Sequence, residues 1–323
     1  VVSGWLSWLS PLGWAQQARP FDADNWWVLA PILGLAGALI AAAAMLNAHR
    51  DVGTGMLSER AGPASAACGL LRPLGLAWRL QRGTLLAWAT GMAVIGAALG
   101  GVGNELDSLI GDSDRSRHLI ENLGGGGTQL ADAYSAAMFG MLGIAVAGYA
   151  VSALLRMRSE ETGGCLELLL STSVRRTRWL LGHVAVVMFG ALVLLTCAGL
   201  GFAVSYGIVT DDLTGRLGEL LLAALIQLPA VLPVVGCAAL AFGVLPRLVI
   251  GISWTVFTGC FAITELGDAL DLPRGVVQLS PFSHVPAAPA DDVSVLPLVV
   301  LTAIAVALVG LGGAGLRHRD LTA

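Results

Sequence analysis

Seven apolar runs, near 26–47, 84–103, 133–155, 179–207, 217–244, 248–265 and 294–315, constrain this chain more than any other feature. Each is close to the ~20 residues that a helix needs to cross about 30 Å of hydrocarbon. Inside a bilayer no water satisfies a backbone N–H or C=O, so such a run crosses as an α-helix, which closes its own hydrogen-bond ladder. Composition agrees: 56% of residues are hydrophobic, 12% are charged, and the mean hydropathy is +0.77. An ordinary soluble domain carries roughly 25% charged residues, and here too little charge remains to cover a soluble surface. The expected fold class is all-α, a polytopic membrane protein.

The connections between the runs alternate in charge. One set holds thirteen arginines (among them Arg50, Arg79, Arg82, Arg156, Arg158, Arg175, Arg176, Arg178, Arg247, Arg317 and Arg319) against six acids, Asp51, Glu59, Glu160, Glu161, Glu167 and Asp320. The other set holds five arginines and sixteen acids, including Asp112, Asp114, Asp211 and Asp212. The positive-inside rule assigns the Arg-rich set to the cytoplasm. The first residues are then expected outside, and Arg317-His318-Arg319-Asp320 inside, a bacterial plasma membrane. All 18 cationic side chains are arginine, a bias typical of high-GC bacterial genomes.

Smaller features fit the same frame. Trp5, Trp8, Trp14, Trp26 and Trp27 cluster at the outer end of the first span, as an interfacial belt or as packing in an external lid. Gly124 to Gly127 have no following Lys-Ser/Thr and read as a hinge rather than a phosphate cradle. The five cysteines show no CxxC pairing and read as small buried hydrophobes.

The first segment resembles the last. Leu9-Ser10-Pro11, a span and His49-Arg50-Asp51 are matched, at offsets of 270 and 269, by Leu279-Ser280-Pro281, a span and His318-Arg319-Asp320. Two matches flanking a span in the same order point to a repeat of about six spans. Residues 1–51 are then expected to close an earlier copy, and the chain to be the C-terminal part of one with roughly twelve spans. Residues 52–83 become a cytoplasmic linker, and 84–323 a complete six-span domain. The linker ends in Leu74 to Arg82, where Trp78, Arg79 and Arg82 are the anchors expected of a helix lying along the interface.

The connection 156–178 is the most informative stretch. Ser159, Glu160 and Glu161 read as an N-cap and two carboxylates at the positive end of a short helix. Leu166, Leu169 and Leu170 give that helix an apolar face, which either the membrane surface or a soluble partner can bury. With its run of Glu-Glu, Gly, Glu, Leu-Leu, a small polar pair, basic residues and Trp179, the segment resembles the first intracellular loop of ABC-2 type exporter permeases. The whole chain is similar to the bacterial ABC exporters of polyketide antibiotics, also in Leu9 to Phe21 and in Pro73 to Arg82. Cys165 departs from that pattern, which has a small residue or Arg there.

The resemblance implies a type V exporter-like fold: a six-helix half preceded by the last helix of an earlier repeat. It also implies a separate ABC ATP-binding subunit, as a homodimer, carrying ATP and Mg and docking on the loop. Glu160, Glu161, Gly164, Glu167, Leu168 and Leu169 are its expected coupling contacts, moved when the nucleotide-bound subunit closes. This chain itself has no GxxxxGK[ST] and no Lys, so it does not cradle ATP by that route.

Polar groups within spans default to functional candidates. Gln227 with Pro229 and Pro233, which break the ladder and widen a cavity, and Glu219 are the expected substrate path. For Glu219 and Glu265 an interfacial, water-accessible place is the plainer reading, and His183 falls near the inner headgroups. The mid-membrane lacks a chain of charges, which suits a hydrophobic small molecule. The expected function is ATP-driven export of such compounds, polyketide-like antibiotics by resemblance, with no catalytic residue, no resident cofactor or metal, and no nucleic-acid partner. The alternative is a proton-coupled secondary multidrug carrier, which needs titratable groups at mid-membrane. An intramembrane enzyme needs a nucleophile or metal cluster, and the five histidines form no HExxH or HxxxH.

Overall fold

The computed structural model describes Trp14, Trp27 and residues 29–48, 73–111, 127–164, 175–210, 215–267, 269–291 and 293–319. Seven helical spans among them are long and apolar enough to cross a membrane, and none of the described residues is in a strand. The chain is all-helical, and its spans fall where the apolar runs placed them. Two compact units divide it, 1–65 and 66–323.

The first unit contributes α1 (Leu29–Ala48), an uncharged helix, apolar but for Asn47, with no buried residue. Leu33, Leu39, Ile40 and Met45 stand exposed along it, as acyl chains require of a spanning helix.

The second unit contains α2 (Pro73–Gly111), α3 (Gly127–Thr162), α4 (Arg176–Val209), α5 (Leu217–Leu225), α6 (Leu228–Val244), α7 (Val249–Leu266), a single turn α8 (Arg274–Val277), a 3-10 turn (Pro281–His284) and α9 (Val295–His318). Within this unit α3 is the most enclosed span, while α7 and α9 are the most open. Phe139 of α3 with Phe202 and Tyr206 of α4 form one aromatic cluster in the core, and Trp179 of α4 against Phe242 of α6 forms a second near the start of α4.

Lipid tails are as apolar as Leu, so helices in a bilayer hold together by close van der Waals contact, which small residues permit. The closest pairing is α2 along α4. Gly96 and Gly100, a GxxxG step, lie directly on the Ala198 and Phe202 carbonyls, and Gly201 lies on that of Ala93; a Cβ at any of the three would overlap the carbonyl oxygen. Gly243 and Gly312 bring α6 onto α9 in the same way.

Two local expectations are corrected. Leu74 to Arg82 is not a separate interfacial helix but the first turns of α2, continuous with the span. Its Trp78 packs edge-on against Phe189 of α4 (5.7 Å), and the Gln81 side chain donates to the Ala153 carbonyl of α3, so neighbouring helices hold part of this segment. Arg79 and Arg82 remain exposed. Ser159-Glu160-Glu161, read as a helix start, is the last turn of α3. The helix ends where Gly163 and Gly164 bond back to the Ser159 and Glu161 carbonyls; Gly164 sits at φ +72°, the left-handed cap that glycine adopts without a Cβ clash.

The span 217–244 is broken as its prolines suggested. Ile226 and Gln227 form a turn between α5 and α6, Pro229 stands in the first turn of α6, and Pro233 lies inside it. Arg216, just ahead of α5, bonds Asp132 of α3 and Glu219, and its guanidinium lies 5.9 Å from the centre of the Tyr206 ring. Burial alone lowers the Arg216 pKa, but the Asp132 and Glu219 hydrogen bonds and charges outweigh it and raise the value. This knot ties the starts of α3 and α5 to the end of α4.

Candidate functional site: the Arg-rich end of the bundle

The two carboxylates at the end of α3 sit at the negative pole of that helix, which disfavours them by a few tenths to about 1 kcal/mol each. Nearby cations, one in α3 itself and one just past α9, reverse the balance for Glu161. Glu161 accepts from Arg158 one turn back (2.8 Å) and from Arg319, just past the end of α9. Arg319 also donates to the Phe242 carbonyl of α6 (2.9 Å), and its guanidinium lies 5.6 Å from the centre of the Phe242 ring. Arg176, in the first turn of α4, donates to the Leu316 carbonyl at 3.3 Å and to that of Arg319. The ends of α3, α6 and α9 and the start of α4 are thus tied at one point. Burial, and after it the charge of Arg158, pulls the Arg319 pKa below the usual arginine range; arginine nonetheless stays protonated in proteins.

Glu160 turns to the neighbouring side. Its carboxylate is 3.3 Å from His183 Nε2, with side chains only 11% and 4% exposed. The geometry is that of an ion-pair contact rather than a directed hydrogen bond, and both Glu160 oxygens, His183 Nδ1 and the Trp179 indole N–H are buried without a hydrogen-bond partner. Trp179 packs edge-on against the His183 ring at 5.0 Å. His183 is therefore buried within the bundle, at its Arg-rich end.

Of the expected coupling contacts, Glu160, Glu161 and Gly164 lie where α3 ends and the connection to α4 begins. Glu167, Leu168 and Leu169, with Cys165 and the rest of 165–174, lie outside the described residues, as do Cys68, Gly124–Gly126, Leu9-Ser10-Pro11 and His49-Arg50-Asp51. Of Leu279-Ser280-Pro281, Ser280 is buried, accepts from the Phe282 N–H and bonds Thr264, and so shapes the turn ahead of α9. Arg319 was legible only as a terminal charge in the Arg-rich set, because nothing local to it names Glu161 as its partner.

The expected substrate path is divided. Gln227 is buried at the α5–α6 break and packs on Gly143 of α3, close enough that a Cβ there would meet its side chain at 2.9 Å. Pro233 lines an apolar cavity of about 540 Å³ between α6, α7, the 3-10 turn and α9, whose wall includes Cys237, Cys260, Gln278 and His284. Pro229 is half-buried at the start of α6, and Glu219 is half-exposed in its pair with Arg216 (3.2 Å). Glu265 is exposed at the end of α7. Cys197, Cys237 and Cys260 are free thiols, half-buried. Among the described residues no group of three or more His, Cys, Asp or Glu could hold a metal.

The family model described as multidrug efflux system permease Rv1217c, C-terminal domain, matches residues 70–317. The chain belongs to this family. The match opens three residues before α2 and closes one residue before the end of α9, so this family domain is the second unit's bundle. Among curated proteins, the multidrug efflux system permease protein Rv1217c of Mycobacterium tuberculosis (strain ATCC 25618 / H37Rv) is 39% identical over 319 residues. That alignment takes in 99% of this chain and 58% of the relative, so the chain spans somewhat over half the length of the protein it matches.

Proposed function

We propose that this chain is part of the membrane permease of an ATP-driven exporter of hydrophobic compounds, with ATP hydrolysis on a separate ABC-type subunit docked at the Arg-rich, cytoplasmic end. The observation that carries the reading is the anchoring of the α3–α4 connection. Its first side is tied to α9 and α4 through Glu161–Arg319 and Glu160–His183, and its second through Arg176 to the Arg319 carbonyl. A loop held so firmly at both ends passes a push to four spans instead of absorbing it. The relative's name, a multidrug efflux system permease, and the apolar spans support the export of hydrophobic molecules, with polyketide-like antibiotics as the class suggested by family resemblance. Glu160, Glu161 and Gly164 form the base of the docking loop, while Glu167, Leu168 and Leu169 supply its contact face. Gln227, Pro229 and Pro233 mark the span that bends as the path opens, with Glu219 at its far end.

The test is co-purification of the full-length protein with the ATP-binding subunit encoded beside it, followed by ATP hydrolysis in nanodiscs. A stable complex whose hydrolysis rises with hydrophobic drugs is expected; no complex, or hydrolysis indifferent to the permease, overturns the reading. Glu161→Arg is expected to cut drug-stimulated hydrolysis by at least ten-fold, since three arginines then crowd one point. If anchoring is the role, adding Arg319→Glu restores most of the coupling by swapping the pair. If Glu161 touches the ATPase directly, the swap restores nothing.

One observation favours the proton-coupled alternative, namely the buried Glu160–His183 pair. It sits at the end of the bundle rather than at mid-membrane, which weakens that case. Drug transport into proteoliposomes driven by an imposed pH gradient without ATP would decide for it.

A further inference from the structure

An open cleft of about 700 Å³ lies at the Arg-rich end among α2, α3 and the start of α7. One stripe of α3 lines it: Tyr149, Ser152, Arg156 and Ser159, at steps of three and four residues that share a helix face. Arg247 and Ile250 at the α6–α7 corner and Gln81 of α2 complete the wall. Arg158 also reaches the cleft, but its charge is already engaged by Glu161 at 2.8 Å. Among the described residues, Arg156 and Arg247 meet no carboxylate, unlike Arg158, Arg216 and Arg319.

Gln81 adds a second, independent observation. Its side chain is 2% exposed and its Nε2 donates to the Ala153 carbonyl at 3.5 Å. A carbonyl only accepts, so the amide nitrogen must face it, and Oε1 is left as a buried acceptor without a partner. A native core rarely leaves such an atom unpaired. The Tyr149 hydroxyl stands against Gly190 of α4, makes no bond to it, and is itself buried without a partner. The site therefore has two unneutralised guanidinium groups, two buried polar atoms without a partner (Gln81 Oε1 and the Tyr149 hydroxyl), and an apolar wall of Leu155, Ile250 and the Tyr149 ring.

We propose that this cleft binds an anionic amphiphile whose phosphate sits on Arg156 and Arg247, whose hydroxyl donates to Gln81 Oε1, and whose aliphatic body lies along Tyr149 and Ile250. Basic pockets between spanning helices take lipid headgroups by this chemistry, and arginine's planar fork suits phosphate. A phosphoglycerol lipid carries all three elements, and free glycerol phosphate carries the first two. The inference does not depend on the export reading, because it concerns what the bundle holds and not what drives it.

The full-length protein in neutral detergent, doped with equal amounts of dioleoyl phosphatidylglycerol and dioleoyl phosphatidylcholine, tests this by native mass spectrometry. Phosphatidylglycerol is expected to be retained about ten-fold over phosphatidylcholine. Arg247→Gln, at an exposed corner where folding is not at stake, should cut that preference several-fold. Arg156→Gln with Arg247→Gln should abolish it, while Arg156→Lys keeps much of it. Gln81→Leu should reduce the preference for phosphatidylglycerol over phosphatidic acid, which lacks the glycerol hydroxyls. Displacement by millimolar glycerol phosphate supports the anion site with a soluble source, and resistance to it supports a lipid source. Equal retention of the two lipids, or an unchanged preference in the folded Arg247→Gln and double variants, overturns the proposal.

Discussion

Gly100→Ala is expected to destabilise the protein by about 2–3 kcal/mol, although the same change in an open helix stabilises by roughly 0.5–1 kcal/mol. The reason is steric. A methyl at Gly100 would overlap the Phe202 carbonyl oxygen, and that oxygen belongs to the backbone of α4, so no side chain can rotate away. The two helices must part, and contact along Gly96 and Gly201 is lost with it. Gly91→Ala is the internal control: it lies in the same helix with nothing within 4 Å of the new carbon, and should be neutral or slightly stabilising. Thermal unfolding in one detergent, followed by loss of monodisperse protein, reads both. If the two variants unfold alike, α2 and α4 do not pack at this crossing.

Arg319→Ala is expected to cost about 2–3 kcal/mol, from loss of the knot at the Arg-rich end. Removing one partner of a buried pair costs roughly 3–5 kcal/mol, and with side chains 15% and 12% exposed this pair is little screened. Arg158 stays on Glu161, which lowers the figure. Arg319→Lys should recover only part of the loss, because one ammonium does not reproduce the fork that serves both Glu161 and the Phe242 carbonyl. A double-mutant cycle with Glu161→Gln isolates the pair, and a coupling of about 1–2 kcal/mol is expected. Additive losses would mean that the two side chains do not interact.

The spans were legible because hydrocarbon leaves the chain few choices, and a run of about 20 apolar residues is itself the signal. The α5–α6 break was equally legible, since Pro229 and Pro233 remove ladder donors wherever they stand. The Gly96–Gly100 step is visible as GxxxG, but nothing local says that its partner is Ala198 and Phe202 rather than another helix. Ser159-Glu160-Glu161 misled for a physical reason. A helix start is the natural place for such residues only when no outside partner is near, and here Arg319, 158 positions away, supplies charge at the other pole while the His183 ring packs beside Glu160. Leu74 to Arg82 read as a separate piece because its arginines interrupt the apolar run, yet its backbone ladder continues without a break into the span.

The sequence by itself determined the all-helical class, the number and place of the spans, the charge difference between their two ends and an interruption of the ladder near Pro229. All of these follow from the transfer of single segments between water and lipid, or from one residue's own backbone. Only the tertiary structure decided that the α3 carboxylates clasp α4 and α9, that Arg156 and Arg247 are left over, and that Gln81 keeps a buried acceptor free. Those outcomes depend on which distant residue arrives at each site, and pairing energies between segments are not written in either segment alone.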